Sequence, residues 1–325
     1  KAIQKKSKEI NAWVISKLTP SIKDIDNGTI YEKFEEYLSN PEMYKKERFV
    51  LKAASYLATK WEFSIVYQTS QFLNDIEDVK KSVDEEIEDY YELIGVRKIA
   101  LNKKLGKIID LSGRLRFQKR WAQTPRVPET SVLGHMLTVA IFGYFFSIEV
   151  NACDKRLQNN FFTALFHDLP EALTRDIITP VKYCVDELSD IIAEYEIEKI
   201  EDDILPNIPD ILHDEFSYLL GLYDGVKEEF ENKIYEDKIQ IVEDVSKYNS
   251  DRYNAIDGLA LKQCDKLSAF VEASLSISHG IKSKELISGK KEILKALKTV
   301  QGIDFKAIAT QIDYEFGTTG QTQVR

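Results

Sequence analysis

Cysteine, methionine and histidine are scarce in this 325-residue chain, with three, two and four copies. The three cysteines (Cys153, Cys184, Cys264) are odd in number, far apart and free of CxxC spacing. That excludes a disulfide scaffold and a cysteine-ligated structural zinc, and reads as reduced thiols of a cytoplasmic protein. No run of eighteen uninterrupted apolar residues occurs, so no membrane span is expected. The opening segment KAIQKKSKEINAWV is basic but lacks the apolar stretch of a secretory signal. It begins without Met, as a trimmed piece would. Basic residues are also in deficit: 44 Lys and Arg face 54 Asp and Glu, a net charge of −10. Polymeric nucleic acid is thereby disfavoured as a partner, because a phosphate backbone needs basic surface. A small phosphate ester, held by a metal ion and a few local cations, is not. Self-association into a homo-oligomer stays open.

What the chain does have is helical periodicity, 43% hydrophobic residues and 30% charged ones, the composition of a globular protein. No convincing strand alternation and no internal repeat is visible. Ile10, Trp13, Val14 and Leu18 form one stripe, and Phe49, Ala53, Leu57 and Trp61 another at four-residue spacing. The acidic run over 79–91 reads as a solvated helix face. The first hundred residues carry no chemical motif. Lys104–Trp121 reads as a basic helix, Val132–Val150 as an apolar helix at a domain centre, and Glu228–Asn249 as a long charged helix. Ala255–Ser278 is a further apolar helix, and the tail from Gly317 looks frayed.

The chemistry concentrates in FFTALFHDLPEALTRDIITPVKY, Phe161–Tyr183. An apolar helix there runs into His167, Asp168, Glu171 and Asp176 within ten residues. Buried charge without partners costs several kcal/mol, so such a cluster calls for ligands. His135 lies in the apolar SVLGHML segment, and Asp265 on the apolar face of LKQCDKLSAF. Taken alone, His135 reads as a core histidine bonded to a carbonyl, and His167-Asp168 as a helix end favoured by the dipole. Three helices that each carry a costly polar residue on a core-facing stripe point instead to convergence. His135, His167, Asp168 and Asp265 would then form a two-histidine, two-carboxylate shell. Such a shell suits a divalent transition ion and leaves positions for water and substrate.

The order H…HD…D across helices resembles the HD-domain metal-dependent phosphohydrolase superfamily, and within it the bacterial 5′-deoxyribonucleotidase family. The resemblance covers Arg120-Trp121, the SV-x-x-H element at His135, HD-x-x-E-x-x-T-x-D from His167 to Asp176, TPVKY (Thr179–Tyr183) and KQ-x-D-x-L-x-A (Lys262–Ala269). It extends over roughly 119–272, about half the chain. It implies an all-α HD-domain helical bundle at 104–316 with an insertion near 186–236; the helical periodicity of 1–103 makes that stretch an N-terminal helical extension outside the resemblance, and 317–325 reads as a flexible tail. The resemblance implies one divalent metal ion (Mn, Co, Fe, Ni or Zn) on His135, His167, Asp168 and Asp265. By the same resemblance Glu171 is the acid/base, Arg120 grips the phosphate, Trp121 presses on the sugar, and Asp176 contacts the sugar or orients the water. The implied reaction is hydrolysis of a (deoxy)nucleoside 5′-monophosphate to nucleoside and phosphate, a step of nucleotide metabolism. A phosphodiesterase or (d)NTP triphosphohydrolase on the same metal site is the alternative enzyme. A non-catalytic nucleotide-sensing or scaffold protein is the alternative outside catalysis.

The chain departs from these relatives at two motif positions. Gly134 stands before the first histidine, where they often carry an acidic residue. Arg175 stands before Asp176, where the nucleotidases tend to have glycine, and its charge suits a phosphate. The second HD dipeptide, His213-Asp214, lacks the downstream acidic set and reads as surface. His279 before Gly280 reads as a helix end, Cys264 as core, and Lys182 and Arg126 as solvated loop or helix-end residues.

Overall fold

A computed structural model describes residues 6–174 and 188–322. Arg175, Asp176, Thr179–Tyr183 (which includes Lys182) and Cys184 therefore lie outside the described residues. The chain divides into two compact units, Lys1–Leu101 and Asn102–Arg325. Its fold is all-α; the strands among the described residues are two to four residues long.

The first unit contains α1 (Ser7–Ile22), α2 (Thr29–Ser39), α3 (Lys45–Thr69), α4 (Ile76–Glu85) and α5 (Ile94–Ala100). On α3, Ala53 and Tyr56 are buried, and Phe49, Leu57 and Trp61 are half-buried along the same stripe. The Tyr56 hydroxyl donates to Val83 O at 2.9 Å, and its ring lies 5.5 Å from that of Tyr90. This ties α3 to the acidic segment, whose carboxylates otherwise face solvent. Lys60 and Lys80 both reach Asp84 at 2.8 Å.

The second unit is built round α7 (Val132–Glu149), which packs on α8 (Asp154–Phe166) and on α12 (Gly258–Ser278). Before them stands α6 (Lys104–Arg114). Between α8 and α12 come a single turn α9 (Glu171–Thr174), α10 (Leu188–Lys199) and α11 (His213–Leu219). Five short strands follow α11: β1 (Leu222–Tyr223), β2 (Val226–Lys227), β3 (Asn232–Tyr235), β4 (Ile239–Ile241) and β5 (Ile256–Asp257). After α12 come α13 (Lys284–Ala296), the hairpin of β6 (Thr299–Val300) and β7 (Ile303–Asp304), and α14 (Phe305–Thr322).

Helix α7 starts where the Ser131 side chain accepts the Gly134 N–H, satisfying an orphan donor of the first turn. Its buried residues, Val132, His135, Met136, Val139, Ala140, Gly143, Phe146 and Ser147, recur at three- and four-residue spacing. Gly143 permits the close crossing with α12, since a Cβ there would stand 2.9 Å from Leu261 Cδ2. By length and composition α7 could also cross a membrane, although it contains no uninterrupted apolar run of eighteen residues. Here it is a core helix: Val139, Ala140 and Phe146 join Ala164, Leu261, Cys264, Leu267 and Phe270 in one cluster.

A buried ion pair fastens the start of α12. The Arg156 guanidinium donates to both oxygens of Asp257, at 2.7 and 2.6 Å, with the two residues 1% and 0% exposed. Asn160 donates to Asp257 at 2.7 Å and accepts its backbone N–H at 2.9 Å. Gln301 Nε2 also donates to Asp257 Oδ1, so each carboxylate oxygen accepts two bonds in place of water.

Two segments differ from expectation. Helix α6 ends at Arg114 instead of running to Trp121, because the backbone of 118–120 pairs with 130–132. Arg120 N donates to Thr130 O and Val132 N to Gln118 O, both at 2.9 Å. The stretch Glu228–Asn249 is not a long helix: β3 pairs antiparallel with β4 and with β5. Its charges gave a helical impression, but alternation places Ile234 in a small core with Val245 and Ala255.

Candidate metal centre

Each side chain of the centre is placed by a different local rule. His135 sits one turn into α7, on its core face. His167 follows the last residue of α8, and its Nδ1 donates to Ala164 O at 2.7 Å. That bond fixes the ring so that Nε2 points away from its own helix. Leu169-Pro170 ends the α8 geometry and starts α9, which puts Asp168 at the junction and Glu171 at the head of the next turn. Asp265 comes from mid-α12.

These residues converge. Ligand atoms of His135, His167 and Asp168 all lie within 4.8 Å of one another. His135 Nε2 stands 2.9 Å from Asp265 Oδ1, and the two imidazole rings are 5.7 Å apart. On one ion with bonds of about 2.1 Å, adjacent ligand atoms stand about 3 Å apart and opposite ones about 4 Å. The donor set therefore fits a cation after small adjustments. His167 Nε2 is buried and has no hydrogen-bond partner among the described residues; Asp168 Oδ2 is 3.2 Å away but poorly aligned. A buried ring nitrogen without a hydrogen bond is what a ligand to a cation would leave.

Charge in the cluster is self-compensating. Burial opposes the charged form of His167, but the Asp168 carboxylate outweighs it and raises His167 to about 9. Burial and Arg120 likewise oppose a charged His135, and Asp265 and Glu272 overcome both to raise it. Burial works against the Asp265 and Glu272 carboxylates too, yet contact with His135 lowers both. Asp168 is lowered against its burial by His167 and then Arg120. Positive charge is thus demanded at this place by three buried or half-buried carboxylates.

One wall near the centre is the loop 115–131. Arg120 Nη1 lies 3.9 Å from Asp168 Oδ2. Trp121 adopts a left-handed backbone (φ 57°), uncommon for a bulky residue. Its indole N–H donates to Glu272 Oε2 at 3.1 Å. The ring edge lies on α13 at Gly289, where a Cβ would come within 2.9 Å of it. Arg120, Trp121 and Arg126 line a common cleft. Glu171 is 7% exposed, and Gln118 Nε2 donates to its carbonyl at 3.0 Å.

The structure brings together His135, His167, Asp168 and Asp265, with Arg120 beside Asp168, as the sequence suggested; Arg175 and Asp176 are not described. Arg126 corrects its expectation. It is 6% exposed, donates to Thr130 Oγ1 at 2.6 Å and pairs with Glu272 at 3.3 Å, so it is a buried strut and not a solvated loop residue. Sequence reading missed Glu272 and Ser268. Glu272 Oε1 and Ser268 Oγ each stand 3.1 Å from His135 Nδ1. A signal existed, since Ser268 and Glu272 follow Asp265 by three and seven residues, on the same face of a helix. His213 belongs elsewhere: it contacts Ile208 O at 2.9 Å at the head of α11. His279 ends α12 with Nδ1 on Leu275 O at 2.8 Å, as expected.

Comparison with known proteins gives the family of the chain. A family model described as HD domain matches residues 112–294, more than half of the chain, and the chain belongs to that family. It is an HD-type phosphohydrolase. Among curated proteins it is similar to the 5′-deoxynucleotidase of Cronobacter sakazakii, 28% identical over 192 residues, covering 57% of this chain and 78% of that protein. The 5′-deoxynucleotidase of Salmonella arizonae is 28% identical over 197 residues, covering 59% and 83%. That of Salmonella typhi is 34% identical over 121 residues, covering 36% and 59%. Among solved structures, an HD-domain phosphohydrolase from Listeria innocua aligns with a TM-score of 0.44 at 21% identity, covering 59% of this chain and 79% of that one.

Proposed function

We propose that this protein hydrolyses a (deoxy)nucleoside 5′-monophosphate to nucleoside and phosphate, with one divalent transition-metal ion held by His135, His167, Asp168 and Asp265. The observation that carries this reading is the buried His167 Nε2, without a hydrogen-bond partner among the described residues, within 4.8 Å of ligand atoms on His135 and Asp168. Bound there, a divalent ion lowers the pKa of a coordinated water and polarises a phosphoryl oxygen. The chain's own groups supply the rest. The Arg120 guanidinium, beside Asp168, offsets charge on the phosphate through its planar fork of donors. Glu171, one turn beyond His167 and 7% exposed, takes the proton of the attacking water or returns one to the leaving alcohol. Trp121 offers its ring to the sugar from a fixed position against α13. Asp176 and Arg175 are assigned to the sugar and phosphate by their place in the motif. The names of the curated relatives support the monophosphate substrate.

A phosphate-release screen of the reconstituted protein over nucleoside mono-, di- and triphosphates tests this. Inorganic phosphate from monophosphates, lost on chelation, is the expected result. Pyrophosphate or triphosphate release would move the reading to the triphosphohydrolase alternative. No hydrolysis of any ester by metal-loaded protein would end it.

A further inference from the structure

Glu272 stands outside the ligand set, yet its two oxygens serve two parts of the site. Oε1 lies 3.1 Å from His135 Nδ1. Oε2 accepts the Trp121 indole N–H at 3.1 Å and an Arg126 N–H at 3.3 Å. The carboxylate is 7% exposed and Arg126 2%, so the whole junction is withdrawn from water. We propose that Glu272 is a positioning residue that couples the metal ligand His135 to the loop carrying Arg120 and Trp121. This rests on the reading of the site as a metal centre.

The physical reason lies in donor and acceptor count. His135 can ligate through Nε2 only if Nδ1 carries the proton, and a buried N–H needs an acceptor. Glu272 Oε1 provides one, with Ser268 Oγ beside it. Carboxylate partners of this kind fix the tautomer and orientation of a ligating histidine and make it more basic. The second oxygen does separate work. Trp121 holds an uncommon left-handed backbone, and its ring is confined between the Glu272 bond and Gly289. Arg126 braces the far end of the same loop by donating to Thr130, whose carbonyl in turn accepts the Arg120 N–H. A shift of Glu272 therefore moves the histidine and the substrate-facing loop together.

Among the described residues, every hydrogen-bond partner of Glu272 Oε2 is a donor, and so is His135 Nδ1. Glutamine cannot replace it, because its amide keeps one oxygen and sets an NH2 against a donor on the other side. Glu272→Gln must lose either the histidine or the Trp121 and Arg126 contacts.

The experiment titrates metal-free full-length protein with Co2+ alone, read by calorimetry and by the visible absorption of the bound ion, with circular dichroism to confirm folding. Glu272→Gln is expected to weaken Co2+ binding roughly 10- to 100-fold. Trp121→Phe keeps the ring but removes the N–H, and is expected to weaken Co2+ roughly three- to tenfold in the wild-type background and not at all in Glu272→Gln. Unchanged Co2+ affinity in folded Glu272→Gln would overturn the proposal, as would independent effects of the two substitutions. If Glu272→Gln does not fold, Glu272→Asp serves, with an expected intermediate loss; wild-type affinity in that variant would count against the coupling. A wild-type protein that binds no Co2+ would remove the metal-centre reading itself, a result distinct from tight wild-type binding with an indifferent Glu272.

Discussion

At the residue scale, the proposed metal ligands and the proposed acid/base separate by what they touch. Asp168 lies against His167 and Arg120, whereas Glu171 occupies the next turn with its carbonyl held by Gln118. Asp168→Ala is therefore expected to abolish both metal retention and phosphate release. Glu171→Ala should keep the metal while turnover falls by roughly 10²–10⁴, the usual contribution of a proton carrier. Elemental analysis beside single-turnover rates separates the two. His135, His167, Asp168 and Asp265 were legible from sequence because each is a costly polar residue on an otherwise apolar stripe. Arg126 was not legible, because a loop arginine looks solvated until the carboxylate that buries it is known. That carboxylate, Glu272, comes from a helix 146 residues later.

Elements fix how firmly the site is held. Gly289 of α13 backs the Trp121 ring, and a methyl there would stand 2.9 Å from the nearest ring atom. Gly289→Ala should displace the ring and raise KM several-fold with kcat less affected, at a stability cost of ~1–3 kcal/mol from overpacking. Steady-state kinetics and denaturant unfolding would show it. The α8–β5 junction depends on the Arg156–Asp257 pair. Asp257→Ala leaves a buried guanidinium without its counter-charge and is expected to cost ~3–5 kcal/mol in urea unfolding, with no direct effect on the chemistry. Helix α7 was readable from its apolar character and three- and four-residue spacing. The β3–β4 hairpin was not, because strands of four and three residues within a charged stretch leave too short an alternation to outweigh a helical pattern.

For the whole molecule, stability should follow both metal and pH. Chelation removes a ligand that binds the folded state, so saturating metal at about 100 times its dissociation constant adds ~2.7 kcal/mol. A rise of roughly 5–10 °C in Tm on metal addition to the second unit's transition is expected by scanning calorimetry. Lys233, fully buried between the Tyr218 and Tyr223 rings, is lowered by burial to about 8. Between pH 8 and about 10.5 the unfolded chain holds a proton there that the folded chain has released, so the fold gains stability as pH rises. Relative to Lys233→Met, the wild type should gain on the order of 2–3 kcal/mol from pH 7 to pH 11, and the variant should be the more stable at pH 7. Chemical denaturation of both proteins across that range would check the sign.

The sequence by itself determined the helical class and the four ligand candidates, because periodicity and misplaced polar residues are local properties of the chain. It also determined the order of the motif along the chain, which was enough to point to the HD family. Only the tertiary structure decided that His135 Nδ1 meets Glu272, that Trp121 is pinned against α13, and that Arg126 is buried. Each of those facts needs an atom from one helix and a partner from another far away in sequence, and no local pattern encodes such a meeting.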